Sequence, residues 1–215
     1  MPSLSPVLLP EAQKIFPILE ELPPPLFYLA GGTGLALQLK HRISIDFDFF
    51  SEHLKLDFED REKVKDYFRQ KQVSLSVEKD KERTLIIFLE GVRISFFYYP
   101  YLLVKPLVSF QKLLLASPVD IGIMKLSAII NRGARKDFID LYEIIQQIPI
   151  KLLMEEAAKK YPDSLDFPFQ AAKALNYFED AEQEPIPRLL KPISWEKIRS
   201  HFEQLSREMT DELLK

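Results

Sequence analysis

Hydrophobic and polar residues alternate along much of the first half of the chain, whereas the second half repeats its apolar residues at helical spacing. The alternation is clearest at residues 44–50, Ser-Ile-Asp-Phe-Asp-Phe-Phe, and predicts a strand with one apolar face. Apolar runs between turn-forming residues predict further strands at residues 26–30, 73–78, 85–90, 92–99 and 113–116. Turns are predicted at residues 79–83 and 90–91.

Helical periodicity predicts the remaining elements. In the first half it covers residues 10–21, 33–40 and 59–71, and in the second half residues 119–131, 134–147, 151–160, 169–178 and 195–214. Pro17 is expected to kink the first helix, Pro23-Pro24-Pro25 to end it, and Thr33 to cap the second. Trp195 is expected to anchor the last helix. We therefore expect an α+β fold, with a small mixed sheet in residues 1–117 and a helical region in residues 118–215.

Composition excludes several classes of protein. The 215 residues include no cysteine and three histidines, so disulfide scaffolds, thiolate zinc sites, cysteine nucleophiles and histidine-rich metal sites are excluded. The net charge of −3 argues against a globally basic nucleic-acid binder but leaves room for a local basic patch. Neither a signal peptide nor a membrane span is evident, and we expect a cytoplasmic protein without a membrane partner.

Two carboxylates lie in the alternating segment. Asp46 and Asp48 are two residues apart, so a strand projects them to one face and sends Phe47 and Phe49 to the other. Paired carboxylates suit Mg²⁺ or Mn²⁺, which bind one or two carboxylates together with substrate phosphates. The alternative is a half-exposed strand whose outer face is acidic.

Glycine is scarce in this chain but clustered once. Three of the 6 glycines are Gly31, Gly32 and Gly34, between a predicted strand and a predicted helix. Such a turn is a ready anion site. It is not a P-loop, because no lysine follows Gly34, and Leu37 is too large for the dinucleotide fingerprint. Tight packing of strand on helix is the alternative explanation.

The helical half carries a charged block. Lys125 and Arg132 are seven residues apart and share a face if the helix extends that far, and Lys136 and Asp140 have the spacing of an ion pair. Lysine for phosphate charge and carboxylates for a metal ion are what a triphosphate requires. The block is otherwise an exposed, salt-bridged helix pair.

Taken together, these segments resemble a known family. Leu-Ala-Gly-Gly-Thr-Gly-Leu-Ala-Leu at 29–37, followed by His-Arg-Ile-Ser-Ile-Asp-Phe-Asp-Phe-Phe at 41–50, resembles the AbiEii/AbiGii nucleotidyltransferase toxins of the polymerase-β-like nucleotidyltransferase superfamily. In that superfamily Gly-Gly opens a helix and Asp-x-Asp lies on the next strand. The resemblance continues at residues 124–129 and 132–142 and covers roughly residues 25–145.

The resemblance implies a nucleotidyltransferase core in residues 1–117 and a helical region in residues 118–215 that carries the Lys and Lys-Asp motifs. It implies Mg²⁺- or Mn²⁺-dependent transfer of a nucleoside monophosphate from an NTP to a hydroxyl of tRNA, another RNA or a protein, by a toxin with a cognate antitoxin. Asp46 and Asp48 would hold the metal, Lys125 would bind phosphate, and Asp137 would orient Lys125 or activate the acceptor. The nucleotide-binding set is Gly31, Gly32, Thr33, Arg42, Ser44, Arg132 and Lys136.

One position departs from the superfamily pattern. Many members carry a third carboxylate on a neighbouring strand, and Ser95 occupies that place here. A serine cannot serve as a general base as a carboxylate does. Either Asp137 takes that role, or turnover is weak or lost, and the resemblance to the toxin family favours the first. Two alternatives therefore stay open, namely a nucleotide-binding module without turnover and a small-molecule nucleotidyltransferase of the antibiotic-modifying type.

Overall fold

A computed structural model describes residue 4 and residues 6–22 and 27–214. The chain divides between Ser117 and Pro118 into two compact units, termed the N-terminal unit and the C-terminal unit. Within the described residues, no helix has the length and apolar character needed to cross a membrane. The predicted helix end at Pro23-Pro24-Pro25 and the predicted strand start at Leu26 fall outside the described residues.

The N-terminal unit carries the strands and three of the helices. Its strands are β1 (Tyr28–Ala30), β2 (Phe47–Ser51), β3 (Leu75–Lys81), β4 (Thr84–Leu89), β5 (Val92–Tyr98), β6 (Val108–Phe110) and β7 (Leu113–Leu115). Its helices in the described residues are α1 (Pro10–Leu19), α2 (Gly31–Leu39) and α3 (Phe58–Gln70). The C-terminal unit contains α4 (Pro118–Asn131), α5 (Arg135–Ile145), α6 (Ile150–Lys160), α7 (Phe167–Ala174), α8 (Glu179–Gln183) and α9 (Trp195–Leu213).

The described strands form one mixed sheet in the order β3-β4-β5-β2-β1-β7-β6. β1 pairs antiparallel with β2 and parallel with β7, and β2 pairs parallel with β5. The predicted turn at Glu90 and Gly91 joins β4 to β5, and both residues have positive φ, as favoured two-residue hairpins require. The predicted mixed sheet with flanking helices, followed by a helical region, is confirmed.

The alternation of β2 appears as alternating burial. Phe47 and Phe49 are buried, with Phe49 stacked on Phe96 of β5 at 5.4 Å between ring centroids. Phe47 packs against Phe16 of α1 at 6.3 Å. Each fully buried phenyl side chain stabilises the fold by about 1.5–3 kcal/mol, so this face sets the register of β2.

The predicted strand at residues 44–50 begins later than expected, at Phe47. The reason is a competing partner: Ser44 donates its backbone N–H to Val7 at 3.0 Å, within a bridge between Leu8 and Ser44. Ser44 is therefore paired with residues 7 and 8 rather than with a strand of the sheet, and Asp46 precedes β2.

Several boundaries differ from the prediction for local reasons. β3 runs to Lys81, which shortens the predicted turn at 79–83 to two residues. The strand β6 was not predicted because two of its three residues are exposed and one of these is polar. The helix α8 was missed because five residues are too few to show a helical period. α1 continues through Pro17, and the predicted helix at 169–178 begins at Phe167 and ends at Ala174.

The C-terminal unit is built around Phe138 of α5. Its ring lies 5.1 Å from Phe178, 6.0 Å from Trp195 and 5.6 Å from Phe202, between centroids. Trp195 is the first residue of α9, and Ser194 caps that helix by accepting the Lys197 N–H at 3.2 Å. Trp195 thus anchors the last helix, as predicted.

A second feature of this unit is a fully buried ion pair. Lys160 at the end of α6 and Asp120 in the first turn of α4 lie 3.0 Å apart, Nζ to Oδ1, and neither side chain is exposed. The two residues are forty apart in sequence, and no local pattern pointed to their pairing.

Candidate active site

The two predicted metal ligands lie where β1, β2 and α2 meet. Asp48 is in β2, directly opposite Ala30 of β1, and Asp46 immediately precedes β2. Both carboxylates are half-buried, on the side opposite the buried Phe47 and Phe49. The sheet core therefore fixes the backbone that carries them.

Close contacts explain the glycine cluster. Gly31 has φ +59°, and a β-carbon there would lie 2.7 Å from Asp48 Oδ2. A β-carbon on Gly32 would lie 2.1 Å from Arg42 Nη2 and 3.3 Å from Ser44 Oγ. A larger residue at either position would displace a charged side chain of the candidate site, and Gly31 also has a φ that favours glycine.

Thr33 and Ser44 form a buried link between α2 and the segment that carries Asp46. Thr33 Oγ1 lies 2.7 Å from Ser44 Oγ and is also hydrogen-bonded to the Asp46 carbonyl. A carbonyl oxygen only accepts, so the Thr33 hydroxyl donates its hydrogen bond to Asp46 and accepts one from the Ser44 hydroxyl. The prediction that Thr33 caps α2 is wrong, since the helix begins at Gly31 after Ala30.

Arg42 completes this corner of the N-terminal unit. Its side chain is buried over Gly32, and Nη1 donates to the Ile43 carbonyl at 3.1 Å. A buried guanidinium beside a helix start adds fixed positive charge next to the first amides of α2, which lack partners within the helix.

Ser95 lies beside Asp48 in the parallel pairing of β5 with β2, and it is fully buried. Arg93, two residues earlier on β5, places Nη1 3.3 Å from Ser95 Oγ and Nε 2.7 Å from Glu78 Oε2. Sequence reasoning missed Arg93. Its place two residues before Ser95, on the same face of one strand, is the signal that could have identified it.

Arg93 also experiences the charge of the carboxylate pair. The hydrogen bond to Glu78, together with the charges of Glu78, Asp46 and Asp48, outweighs burial and raises the pKa of the Arg93 guanidinium above its ordinary value. A permanent cation therefore lies next to the predicted metal ligands.

The C-terminal unit holds the other predicted residues. Lys125 of α4 places Nζ 2.8 Å from Asp137 Oδ1 and 2.6 Å from Asp140 Oδ2, both on α5. Both carboxylates are fully buried. Arg132 lies just beyond the end of α4, and its Nε is 3.0 Å from Asp137 Oδ2. The spacing argument expected Asp140 to pair with Lys136, but Lys136 is exposed and Asp140 is buried against Lys125.

Asp137 is held in its ionised form. Burial by itself raises the pKa of the Asp137 carboxyl, but the charges and hydrogen bonds of Lys125 and Arg132 outweigh it. The pKa of Asp137 consequently lies below its ordinary value of 3.8.

The carboxylates of the candidate site restrict the way in which a divalent cation could bind. In the described residues, no group of three or more His, Cys, Asp or Glu side chains could hold a metal ion. Asp46 and Asp48 nevertheless offer two carboxylates on one face. They fit a hard cation such as Mg²⁺ or Mn²⁺ that takes its other ligands from substrate phosphate and water, rather than a cation enclosed by protein.

A Gly-Gly turn opens α2 against one carboxylate on β2 and a second immediately before that strand, as in the pattern that the sequence resembles. The family model described as "Nucleotidyl transferase AbiEii toxin, Type IV TA system" matches residues 18–215, and this chain belongs to that family. The predicted family is thus confirmed. Membership supports nucleotidyl transfer and a toxin role for the chain.

The chain is also similar to individual proteins. The chain is 35% identical over 193 residues to an uncharacterized protein of Aquifex aeolicus (strain VF5), covering 85% of this chain and 87% of that protein. Among solved structures, it resembles MenT4, the nucleotidyltransferase toxin Rv2826c from Mycobacterium tuberculosis H37Rv, with a TM-score of 0.61, 16% identity and coverage of 86% and 76%. JHP933 from Helicobacter pylori gives a TM-score of 0.56, 16% identity and coverage of 96% and 94%. The likeness to these two structures shows the fold.

The contact of Gly31 with Asp48 predicts a measurable difference between two alanine substitutions. Gly31→Ala and Gly91→Ala both place a β-carbon at positive φ, which costs roughly 1–2 kcal/mol. Only Gly31→Ala also crowds a carboxylate, since no atom lies within 4 Å of a β-carbon at Gly91. We expect the larger loss of unfolding free energy for Gly31→Ala, measured by urea unfolding followed by circular dichroism. Equal losses would show that Asp48 yields to the methyl group without cost.

The lowered pKa of Asp137 predicts a dependence of stability on pH. A carboxyl whose folded pKa is below its unfolded value stabilises the fold above the unfolded pKa, and this contribution disappears as the pH falls through the folded pKa. Between about pH 5 and pH 2, Asp137→Asn should therefore flatten the decline in unfolding free energy relative to wild type.

Trp195 provides the readout, because it is the only tryptophan and packs against Phe138 in the same unit. Its fluorescence during urea unfolding at each pH gives the unfolding free energy. Asp163→Asn, at an exposed position, is the control and should keep the wild-type slope. An unchanged slope for Asp137→Asn would contradict the assignment.

Proposed function

We propose that this chain is an Mg²⁺- or Mn²⁺-dependent nucleotidyltransferase that moves a nucleoside monophosphate from an NTP to an acceptor hydroxyl. The observation that carries the proposal is the Gly31 backbone held against the Asp48 carboxylate, with Asp46 near enough that both carboxylate charges act on Arg93. This arrangement brings a phosphate-binding helix start next to two oxygen ligands.

Each residue of the N-terminal unit has a role in this proposal. Asp46 and Asp48 hold the divalent cation, which neutralises triphosphate charge when bound. The backbone N–H groups of Gly31, Gly32 and Thr33 bind phosphate oxygens at the start of α2. Arg42 adds positive charge beside that turn, and Ser44 positions Thr33 through the hydroxyl pair. The acceptor oxygen bonds to the α-phosphorus as the bond to the leaving pyrophosphate breaks, and the hydroxyl proton of the acceptor passes to solvent.

Lys125 and Asp137 take part in the same reaction by analogy with the family pattern. Lys125 binds phosphate, and of the two roles considered for Asp137 the contacts favour orientation of Lys125. Both Asp137 oxygens are engaged by cations, Oδ1 by Lys125 and Oδ2 by Arg132. A buried carboxylate with a lowered pKa is a weak base for a hydroxyl proton.

We further propose that the acceptor is an RNA, with tRNA as the first candidate, and that a cognate antitoxin controls the activity. The exposed Lys136 and the Arg132 side chain, which is 60% exposed, are suited to contact phosphates of such an acceptor. Membership in a toxin family supports the antitoxin partner.

A second candidate function rests on Ser95. Because a buried serine stands beside Asp48 where a third carboxylate is common, the chain could bind nucleotide without transferring it. Metal-dependent NTP binding without pyrophosphate release would favour this candidate. Transfer that needs no RNA would instead favour a small-molecule acceptor.

Removal of either predicted metal ligand should abolish transfer. Asp46→Asn and Asp48→Asn should each reduce labelled-NTP transfer to total tRNA by at least about 100-fold, since metal stabilisation of the transition state is worth several kcal/mol. Asp66→Asn, at an exposed position of α3, is the matched control and should retain activity. If both site variants transfer label at the wild-type rate, Asp46 and Asp48 are only an acidic strand face.

The buried pair of Lys160 with Asp120 provides a matched control for Lys125. Lys125→Met and Lys160→Met each leave buried carboxylate charge without its lysine, and each should cost about 3–5 kcal/mol of stability. Only Lys125→Met should lose transfer activity once the rate is corrected for the folded fraction, measured by Trp195 fluorescence.

Equal loss of activity per folded molecule in both variants would assign Lys125 a purely structural role. If either methionine variant fails to fold, Lys125→Arg and Lys160→Arg form a second pair that preserves charge. The same comparison then applies to that pair, because arginine changes the geometry of the cation and not its charge.

A further inference from the structure

The pairing of β2 with β5 brings Arg93 to the carboxylate pair. The parallel register sets Phe47 opposite Ile94 and Asp48 opposite Ser95. Arg93 precedes Ile94 on β5 as Asp46 precedes Phe47, and the charges of Asp46 and Asp48 both act on the Arg93 guanidinium. Arg93 and Ser95 share a face of β5, and Arg93 Nη1 lies 3.3 Å from Ser95 Oγ.

Glu78 holds the guanidinium in place. Arg93 Nε lies 2.7 Å from Glu78 Oε2 and Nη2 lies 3.3 Å from Oε1, a two-point contact that fixes the plane of the group. Glu78 is the extra residue of an irregularity in β3 between Val77 and Lys79, and such bulges redirect a side chain. The Arg93 side chain remains 32% exposed, so solvent and ligands reach it.

Arg93 places a positive charge where the superfamily pattern has a negative one. Where many superfamily members add a third carboxylate, this chain has Ser95, whose hydroxyl contacts the Arg93 guanidinium. A third carboxylate would strengthen binding of a bare divalent cation, whereas a guanidinium weakens it by charge repulsion. The same guanidinium attracts triphosphate oxygens.

We infer that Arg93 is a further ligand-binding residue of this site, whose positive charge disfavours a bare divalent cation on Asp46 and Asp48 and favours the cation together with a nucleoside triphosphate. The inference rests on the proposed function of the carboxylate pair. It makes metal and nucleotide binding cooperative, because the triphosphate supplies the negative charge that Arg93 offsets.

The test measures Mn²⁺ binding by isothermal titration and by electron paramagnetic resonance of free Mn²⁺, without nucleotide or acceptor. Arg93→Gln should bind Mn²⁺ about three- to tenfold more tightly than wild type, the size expected for one nearby, partly screened charge. With each of the four ribonucleoside triphosphates present at saturating Mn²⁺, the same variant should bind the nucleotide about tenfold more weakly.

Two further variants separate charge from position. Arg69→Gln removes an exposed arginine that pairs with Asp66 on α3, and it should leave both affinities at wild-type values. Arg93→Lys keeps the charge without the two-point contact to Glu78. It should keep weak Mn²⁺ binding but bind nucleotide less tightly than wild type, and it replaces Arg93→Gln if that variant does not fold.

The outcomes distinguish a failure of the proposed function from a failure of the role inferred for Arg93. If Mn²⁺ binding to wild type is the same as to Asp46→Asn both without and with nucleotide, the carboxylates hold no cation, and the proposed function fails together with this inference. If Asp46→Asn abolishes Mn²⁺ binding but Arg93→Gln leaves it unchanged, only the role of Arg93 is overturned. If Arg93→Gln binds Mn²⁺ more tightly and nucleotide more weakly than wild type, the proposed function and the role of Arg93 are both supported.

Discussion

The backbone at Gly31 runs so close to β2 that a β-carbon there would lie 2.7 Å from Asp48 Oδ2. This contact depends on the placement of three elements of the N-terminal unit, β2, β1 and α2. The buried Phe47 and Phe49 fix β2, the pairing of Ala30 with Asp48 fixes β1 against it, and the positive φ of Gly31 turns the chain at once into α2. The helix start and the carboxylates are thereby placed next to each other without any side chain between them.

Charge in the C-terminal unit is buried in pairs. Lys125 lies between Asp137 and Asp140, and Lys160 pairs with Asp120, all with little or no exposure. Burial of an ion is tolerated only when a partner offsets the loss of hydration, so both pairs follow the same physical rule. Pairing alone therefore does not mark a functional lysine. What separates Lys125 is its place in the family pattern.

The N-terminal unit adds a cation beside its carboxylates. Ser95 leaves space and a hydroxyl next to Asp48, and Arg93 fills that side with a guanidinium held by Glu78. A site with two carboxylates and one fixed cation is electrostatically less negative than a site with three carboxylates. Such a site depends more on the charge of its substrate to bind a metal ion.

Local sequence determined the features that need only neighbouring residues. Alternation around Asp46 and Asp48, the glycine turn and the helical block near Lys125 follow from side-chain period and backbone freedom, which act over a few residues. Tertiary structure alone decided the partners. Ser44 pairs with Leu8, so β2 begins later than the alternation predicts. Arg93 is held by Glu78 of another strand, and Asp120 pairs with a lysine forty positions away. Periodicity tells which face a residue occupies, whereas its contact across that face depends on how distant elements pack.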